Sequence, residues 1–144
     1  MRIQKTLVII SIAFLLFTFL PETITTKASP TTTLYFEPTN IIDPSITIGT
    51  NLTFLIKVGN VTDLYAWQVK VYFTPTLLNW TGADYPPGHV FQGKNFQPIT
   101  PIKDTDAGGT YILFFATLIG AAKTCSGSGS LCRMNFTVIQ QGSS

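Results

Sequence analysis

From Trp67 to Phe73 the chain alternates apolar and polar positions with period two. Trp67, Val69, Val71 and Phe73 share one face, and Ala66, Gln68, Lys70 and Tyr72 share the other. This predicts a strand with one face in a core and one toward water. Gly59-Asn60 before it and Thr74-Pro75 after it read as turns, because proline cannot donate to a strand ladder, and Leu77, Leu78 and Trp80 form a short apolar return. The same periodicity predicts a first strand over Thr32–Glu37. It predicts a second over Thr50–Val58, with Leu52, Phe54, Ile56 and Val58 inward and Asn51, Thr53 and Lys57 outward. A last strand over Leu131–Ile139 places Met134, Phe136 and Val138 inside and Arg133, Asn135 and Thr137 outside. Thr110–Leu118 is apolar on both faces, the pattern of a strand in the middle of a sheet. Asn79–Gly109 is the least regular region; short strands are expected near Val90–Phe91 and Phe96–Ile102, with a hairpin turn over Asp104–Gly109.

No stretch sustains helical periodicity, and short alternating runs separated by Gly, Pro and Asn recur. The expected fold is all-β, a sandwich of jelly-roll type. The N-terminal segment stands apart. Arg2 and Lys5 precede an uncharged apolar run, Leu7–Leu20, and Thr26-Lys27-Ala28 offers small residues for a signal peptidase. Residues 1–28 therefore read as a secretory signal, 29–33 as a Pro/Thr linker and 34–144 as one domain. An uncleaved anchor is the alternative, although the run is shorter than the roughly 20 residues that span a bilayer. Either way the domain is extracellular, and any membrane association runs through that segment alone.

Charge changes the picture when the signal is set aside. The full chain carries 9 basic and 7 acidic side chains. Arg2, Lys5, Lys27 and Glu22 belong to the signal, so the domain itself is close to neutral. It has no electrostatic footprint for nucleic acid.

The run Asn60-Val61-Thr62-Asp63-Leu64-Tyr65, the alternating strand and the Phe73-Thr74-Pro75 corner together resemble the cohesin pattern. Gly49-Thr50 opening the preceding strand, Pro87-Gly88-His89-Val90-Phe91, and Ser128-Gly129-Ser130-Leu131 through Phe136-Thr137-Val138 continue the resemblance in order, over about Thr33–Ser144. The resemblance implies a non-catalytic extracellular binding module, related to carbohydrate-binding modules and associated with polysaccharide breakdown. It places the candidate binding face on Ala66, Gln68, Lys70 and Tyr72. Cellulosomal cohesins carry Asn and Asp where this chain has Ala66 and Gln68, which argues against a dockerin of the familiar type. The expected partner is a polysaccharide or a cell-surface protein; the alternative is a structural spacer or adhesion module without a small ligand. The resemblance also implies a closing strand after Leu131–Ile139 that the sequence lacks, so a C-terminally truncated chain is one expectation. The last strand is expected beside the central one in the same sheet.

Tyr65, Trp80 and Tyr85, with Tyr72, offer an alternative aromatic platform for sugar rings, whose C–H faces pack on aromatic planes. Four Asn-x-Thr sequons, at Asn51, Asn60, Asn79 and Asn135, are candidate glycosylation sites. Cys125 and Cys132 bracket a Ser/Gly run, and in an exported chain an even cysteine count favours a disulfide. In the chain-entropy account that closure would contribute about 2.5 kcal/mol. No metal or other cofactor is expected: His89 is the single histidine, and Asp104-Thr105-Asp106 lacks the remaining ligands of a calcium loop. No nucleophile–base pair is legible, so the chain does not read as an enzyme.

Overall fold

The computed structural model describes residues 31–41, 43, 45–121 and 123–142. Residues 1–28, read above as a secretory signal, lie outside the described residues. Eight strands follow in order: β1 (Thr33–Glu37), β2 (Asn51–Leu64), β3 (Ala66–Tyr72), β4 (Leu78–Asp84), β5 (Phe96–Pro98), β6 (Ile102–Asp106), β7 (Gly109–Leu118) and β8 (Cys125–Val138). They form an antiparallel sandwich. One sheet has the order β1-β2-β8-β4. The other runs β3-β7-β5, with β6 pairing the remaining length of β7.

The core lies where the alternation puts it. Ile56 and Val58 from β2, Trp67 and Val69 from β3, Ile112, Phe114, Ala116 and Leu118 from β7, and Met134 and Phe136 from β8 are all buried. A slip of one residue in β2, β3 or β8 would expose its apolar set, so burial fixes their register, and β7, apolar on both faces, takes its register from β3.

Three expectations need correction. The last strand does not neighbour the central one. β8 pairs with β2 and β4, so β3 and β8 lie in opposite sheets, with their apolar faces turned toward each other. A strand apolar on one face only suits either sheet, and the alternation could not decide between them. Leu78–Asp84 is a full strand rather than a short return; it joins an edge of the first sheet, where one ladder is enough. No strand forms at Val90–Phe91. That segment makes a single bridge, His89 to Ser130, and sends Phe91 into the core, fully buried.

β2 and β8 are both longer than the alternation suggests, because the Gly59-Asn60 and Ser/Gly runs pair with each other through bulges. Asn60 and Asp63 take left-handed backbone angles, φ 54° and 52°, which Asn and Asp tolerate. Their displaced N–H groups find side chains in place of carbonyls. Asn60 N donates to Ser128 Oγ at 3.0 Å, and Asp63 N donates to Ser126 Oγ at 3.0 Å. The alternation of Ser and Gly in this run thus supplies an acceptor at every second position. Gly129 must remain small, since a Cβ there would sit 2.9 Å from Val90 Cγ1.

This geometry overturns the expected disulfide. Cys125 and Cys132 stand at two points of one extended strand and are free thiols. Seven strand residues span about 23 Å, whereas a disulfide needs Cα atoms within about 7 Å. Cys125 Sγ instead donates to Val90 O at 3.0 Å, and Cys132 is buried. Burial pushes the Cys132 thiol up to about 12. Alkylation of the native protein at neutral pH is therefore expected to leave Cys132 unmodified, while alkylation after denaturation modifies both cysteines. A Cys125–Cys132 linked peptide in non-reducing mass mapping would contradict the strand geometry.

Candidate binding face

The outer face of the second sheet gathers the four residues singled out by the sequence. Ala66, Gln68, Lys70 and Tyr72 are exposed along β3. Directly opposite them on β7 stand Thr117, Phe115, Leu113 and Tyr111, and Ile102 and Asp104 of β6 continue the Leu113 and Tyr111 rows. The sequence reading missed Tyr111, Leu113, Phe115 and Ile102. The signal was present: a strand apolar on both faces has an inner set, Ile112 to Leu118, and an outer set that some other surface must cover or use. Ile102 is 46% exposed and Tyr72 47% exposed, while Leu113 and Phe115 are half-buried.

One end of this face is polar and tightly connected. Lys70 forms an ion pair with Asp106, which also accepts from Tyr72 Oη at 3.1 Å and from Gly108 N at 2.8 Å. The ammonium lies 3.9 Å from the Tyr111 ring centroid. Its hydrogen bond to Asp106 raises the Lys70 pKa, and the same bond lowers that of Asp106. Tyr111 Oη donates to Asp104 Oδ2 at 3.3 Å. Both acids of Asp104-Thr105-Asp106 are thus engaged by neighbouring side chains within a β6–β7 hairpin. At the other end, small Ala66 leaves a shallow depression of about 400 Å³ floored by Phe115 and flanked by Gln68 and Thr117.

The alternative aromatic platform is not assembled. Tyr65 is exposed in the bend between β2 and β3. Trp80 turns inward from β4, opposite Phe136, and packs against the core. Tyr85 lies between the sheets, 4.7 Å from the Phe114 ring; its hydroxyl donates to Phe115 O at 2.9 Å and accepts from Ile99 N. The physical reason is burial: each large ring next to an open core gains more from desolvation than from a place at the surface. Tyr72 faces out from the sheet itself, away from Tyr65, and it meets Tyr111 edge-on at 61° rather than as part of a flat plate.

His89 is wedged against the rings of Tyr85 and Phe96, and burial lowers its pKa. Its Nδ1 accepts from Phe91 N at 3.3 Å, a turn contact. Among the described residues no three His, Cys, Asp or Glu side chains are grouped as a metal site. A second concavity, about 720 Å³, opens at one end of the sandwich between Ile41, Ile46, Leu52, Phe54, Leu77 and Val138.

All four sequons lie within the described residues. Asn51, Asn79 and Asn135 are on the outer face of the first sheet, opposite the candidate binding face, and Asn60 sits in the β2 bulge. A group on Asn135 would therefore not obstruct the β3 surface, as it would if β8 lay beside β3.

No protein-family model matches the chain, and no curated protein does. Solved structures do. A type II cohesin domain from the cellulosome of Acetivibrio cellulolyticus superimposes with a TM-score of 0.56 at 16% identity, covering 77% of this chain and 70% of that one. A chain from a type II cohesin–X–dockerin complex of the same organism gives 0.57 at 13% identity, covering 78% and 74%. The fold is a cohesin-like β-sandwich. The likeness rests on backbone geometry, since so few side chains coincide.

Proposed function

We propose that the domain is a non-catalytic extracellular module that binds a protein through the outer face of β3, β7 and β6. The observation that carries this reading is an apolar strip on the outer face, exposed Ile102 with half-buried Leu113 and Phe115, bordered by Gln68, Lys70, Tyr72 and Asp104. An apolar centre with a polar and charged rim is the anatomy of a protein interface. A sugar site would want flat aromatic plates side by side; Trp80 and Tyr85 are turned inward, Tyr65 stands in the β2–β3 bend, and Tyr72 meets Tyr111 edge-on. One of the similar structures is a cohesin–X–dockerin complex, so a protein partner agrees with what that fold does elsewhere. An association with polysaccharide breakdown belongs to the same proposal, because the similar structures are cellulosomal. Ala66 and Gln68 replace the polar pair of cellulosomal cohesins, so the partner is expected to differ from a cellulosomal dockerin.

The test is site-specific photo-crosslinking of the secreted protein in the medium of its producing cells. A benzophenone side chain at position 68 is expected to give a defined protein adduct. The same group at position 53, on the opposite sheet, is expected to give none, and Leu113→Glu is expected to abolish the adduct at position 68 while the fold is kept. Retention of the wild-type domain on an insoluble polysaccharide, lost in Leu113→Glu, would overturn the protein reading in favour of a sugar.

A further inference from the structure

Two of the sequons, Asn51-Leu52-Thr53 on β2 and Asn135-Phe136-Thr137 on β8, are locked together by the antiparallel register. Asn51 lies opposite Thr137, and Thr53 lies opposite Asn135. Each sequon's threonine therefore meets the other sequon's asparagine. Thr137 Oγ1 donates to Asn51 Oδ1 at 2.7 Å, and Thr53 Oγ1 donates to Asn135 Oδ1 at 2.9 Å. β4 extends both rows: Asn79 lies opposite Thr137, and Gly82 lies opposite Asn135. Three asparagines of three Asn-x-Thr sequons thus share one face within two adjacent cross-strand rows.

In both locked pairs the asparagine uses its carbonyl oxygen, and the amide nitrogen Nδ2 has no partner among the described residues. Nδ2 is the atom that carries a glycan. Asn51 and Asn79 are exposed. Asn135 is half-buried, but its β4 neighbour is a glycine, and the space where a Gly82 Cβ would sit is open. Asn60 differs: its Nδ2 points to Thr31 O at 3.5 Å.

We propose that Asn51, Asn79 and Asn135 are N-glycosylated, making the outer face of β2, β8 and β4 a glycan-bearing face. The reaction requires a lipid-linked oligosaccharide donor and a membrane oligosaccharyltransferase. Nδ2 attacks the sugar anomeric carbon, a C–N bond forms, and the C–O bond to the lipid phosphate breaks. The lipid phosphate leaves with the bonding electrons, and Nδ2 gives up one of its two protons to base. The remaining N–H and the carbonyl oxygen are untouched, so both locked Asn–Thr pairs survive modification. Ala66, Gln68, Lys70, Tyr72 and the β7 residues opposite them include no sequon. Glycans would sort the domain into a shielded face and a bare one, leaving the bare sheet for a partner. The modification itself does not rest on the binding proposal.

The experiment is peptide mass mapping of protein isolated from its native producer, before and after enzymatic or chemical deglycosylation. Peptides containing Asn51, Asn79 and Asn135 are expected to carry glycan masses. Occupancy is expected to be highest at Asn79, which lies on an edge strand and stays accessible after folding. In the producer, Thr81→Ala is expected to remove one glycan mass and Thr81→Ser to retain it, a difference that a merely structural threonine would not make. Recovery of the Asn51 and Asn79 peptides wholly unmodified, or glycan confined to Asn60, would overturn the proposal.

Discussion

Trp67→Ala is expected to destabilise the domain by about 3–5 kcal/mol, the range for truncating a large buried aromatic side chain. The indole is 7% exposed at the centre of the sandwich. It meets Tyr85 at 6.0 Å and Phe114 at 5.7 Å, both in edge-to-face geometry, so truncation opens a cavity and removes two aromatic pairs at once. One feature reduces the loss for a conservative change. The Trp67 Nε1 group is buried without a hydrogen-bond partner among the described residues, and an unsatisfied buried donor is itself destabilising. Trp67→Phe is therefore expected to cost less than about 1.5 kcal/mol, in the range of tolerated core swaps. Gln68→Ala, one residue on and facing water, is expected to shift stability by no more than about 0.5 kcal/mol. Urea denaturation of the three variants reads all of these. Equal shifts for positions 67 and 68 would mean that the assigned register is off by one residue.

The strands legible in the sequence are those with one wet face and one dry face. Trp67-Gln68-Val69-Lys70-Val71 and Met134-Asn135-Phe136-Thr137-Val138 print their orientation directly, and both are buried as their alternation requires. Sheet membership is not printed in this way. β3 and β8 carry the same kind of pattern, and only long-range pairing, which periodicity does not encode, assigns them to different sheets. The Ser/Gly run 126–130 was unreadable for another reason. Its backbone pairs through bulges completed by serine hydroxyls, and such acceptors leave no apolar mark. The disulfide expectation turned on the same run: two cysteines bracketing a short Ser/Gly run look closable, whereas two cysteines on one extended strand do not.

The candidate face was half legible. Ala66, Gln68, Lys70 and Tyr72 followed from parity on one strand. Their neighbours Leu113 and Phe115 needed the β3–β7 register, because a strand apolar on both faces does not say which set is inside. The aromatic platform failed for the converse reason. Tyr65, Trp80 and Tyr85 are aromatic residues near strand ends, and nothing local distinguishes a ring that stacks on a ligand from one that closes a core.

Phe91→Ala is expected to cost as much as the Trp67 truncation, about 3–5 kcal/mol, although Phe91 belongs to no strand. Its side chain is fully buried and lies 6.2 Å from the Phe96 ring, where the loop after β4 closes over one end of the core. The backbone around it is anchored from β8: Val90 N donates to Ser130 O at 2.9 Å, and Cys125 Sγ donates to Val90 O. Because Val90, the residue before the ring, is held at both its N–H and its carbonyl, the site cannot collapse readily around a missing ring, and the cavity contribution should be near its full size. Gln92→Ala, at the exposed next position, removes one side-chain contact to Gly88 N and is expected to cost about 1 kcal/mol at most. The loop should also loosen where it is held. In Phe91→Ala the amide of Val90 is expected to exchange with solvent faster than in wild type by more than the global loss of stability explains, while amides in the β3–β7 ladder follow the global loss alone. Unchanged denaturation midpoints in Phe91→Ala would show that the loop is a surface cover, and that the sandwich core is complete without it.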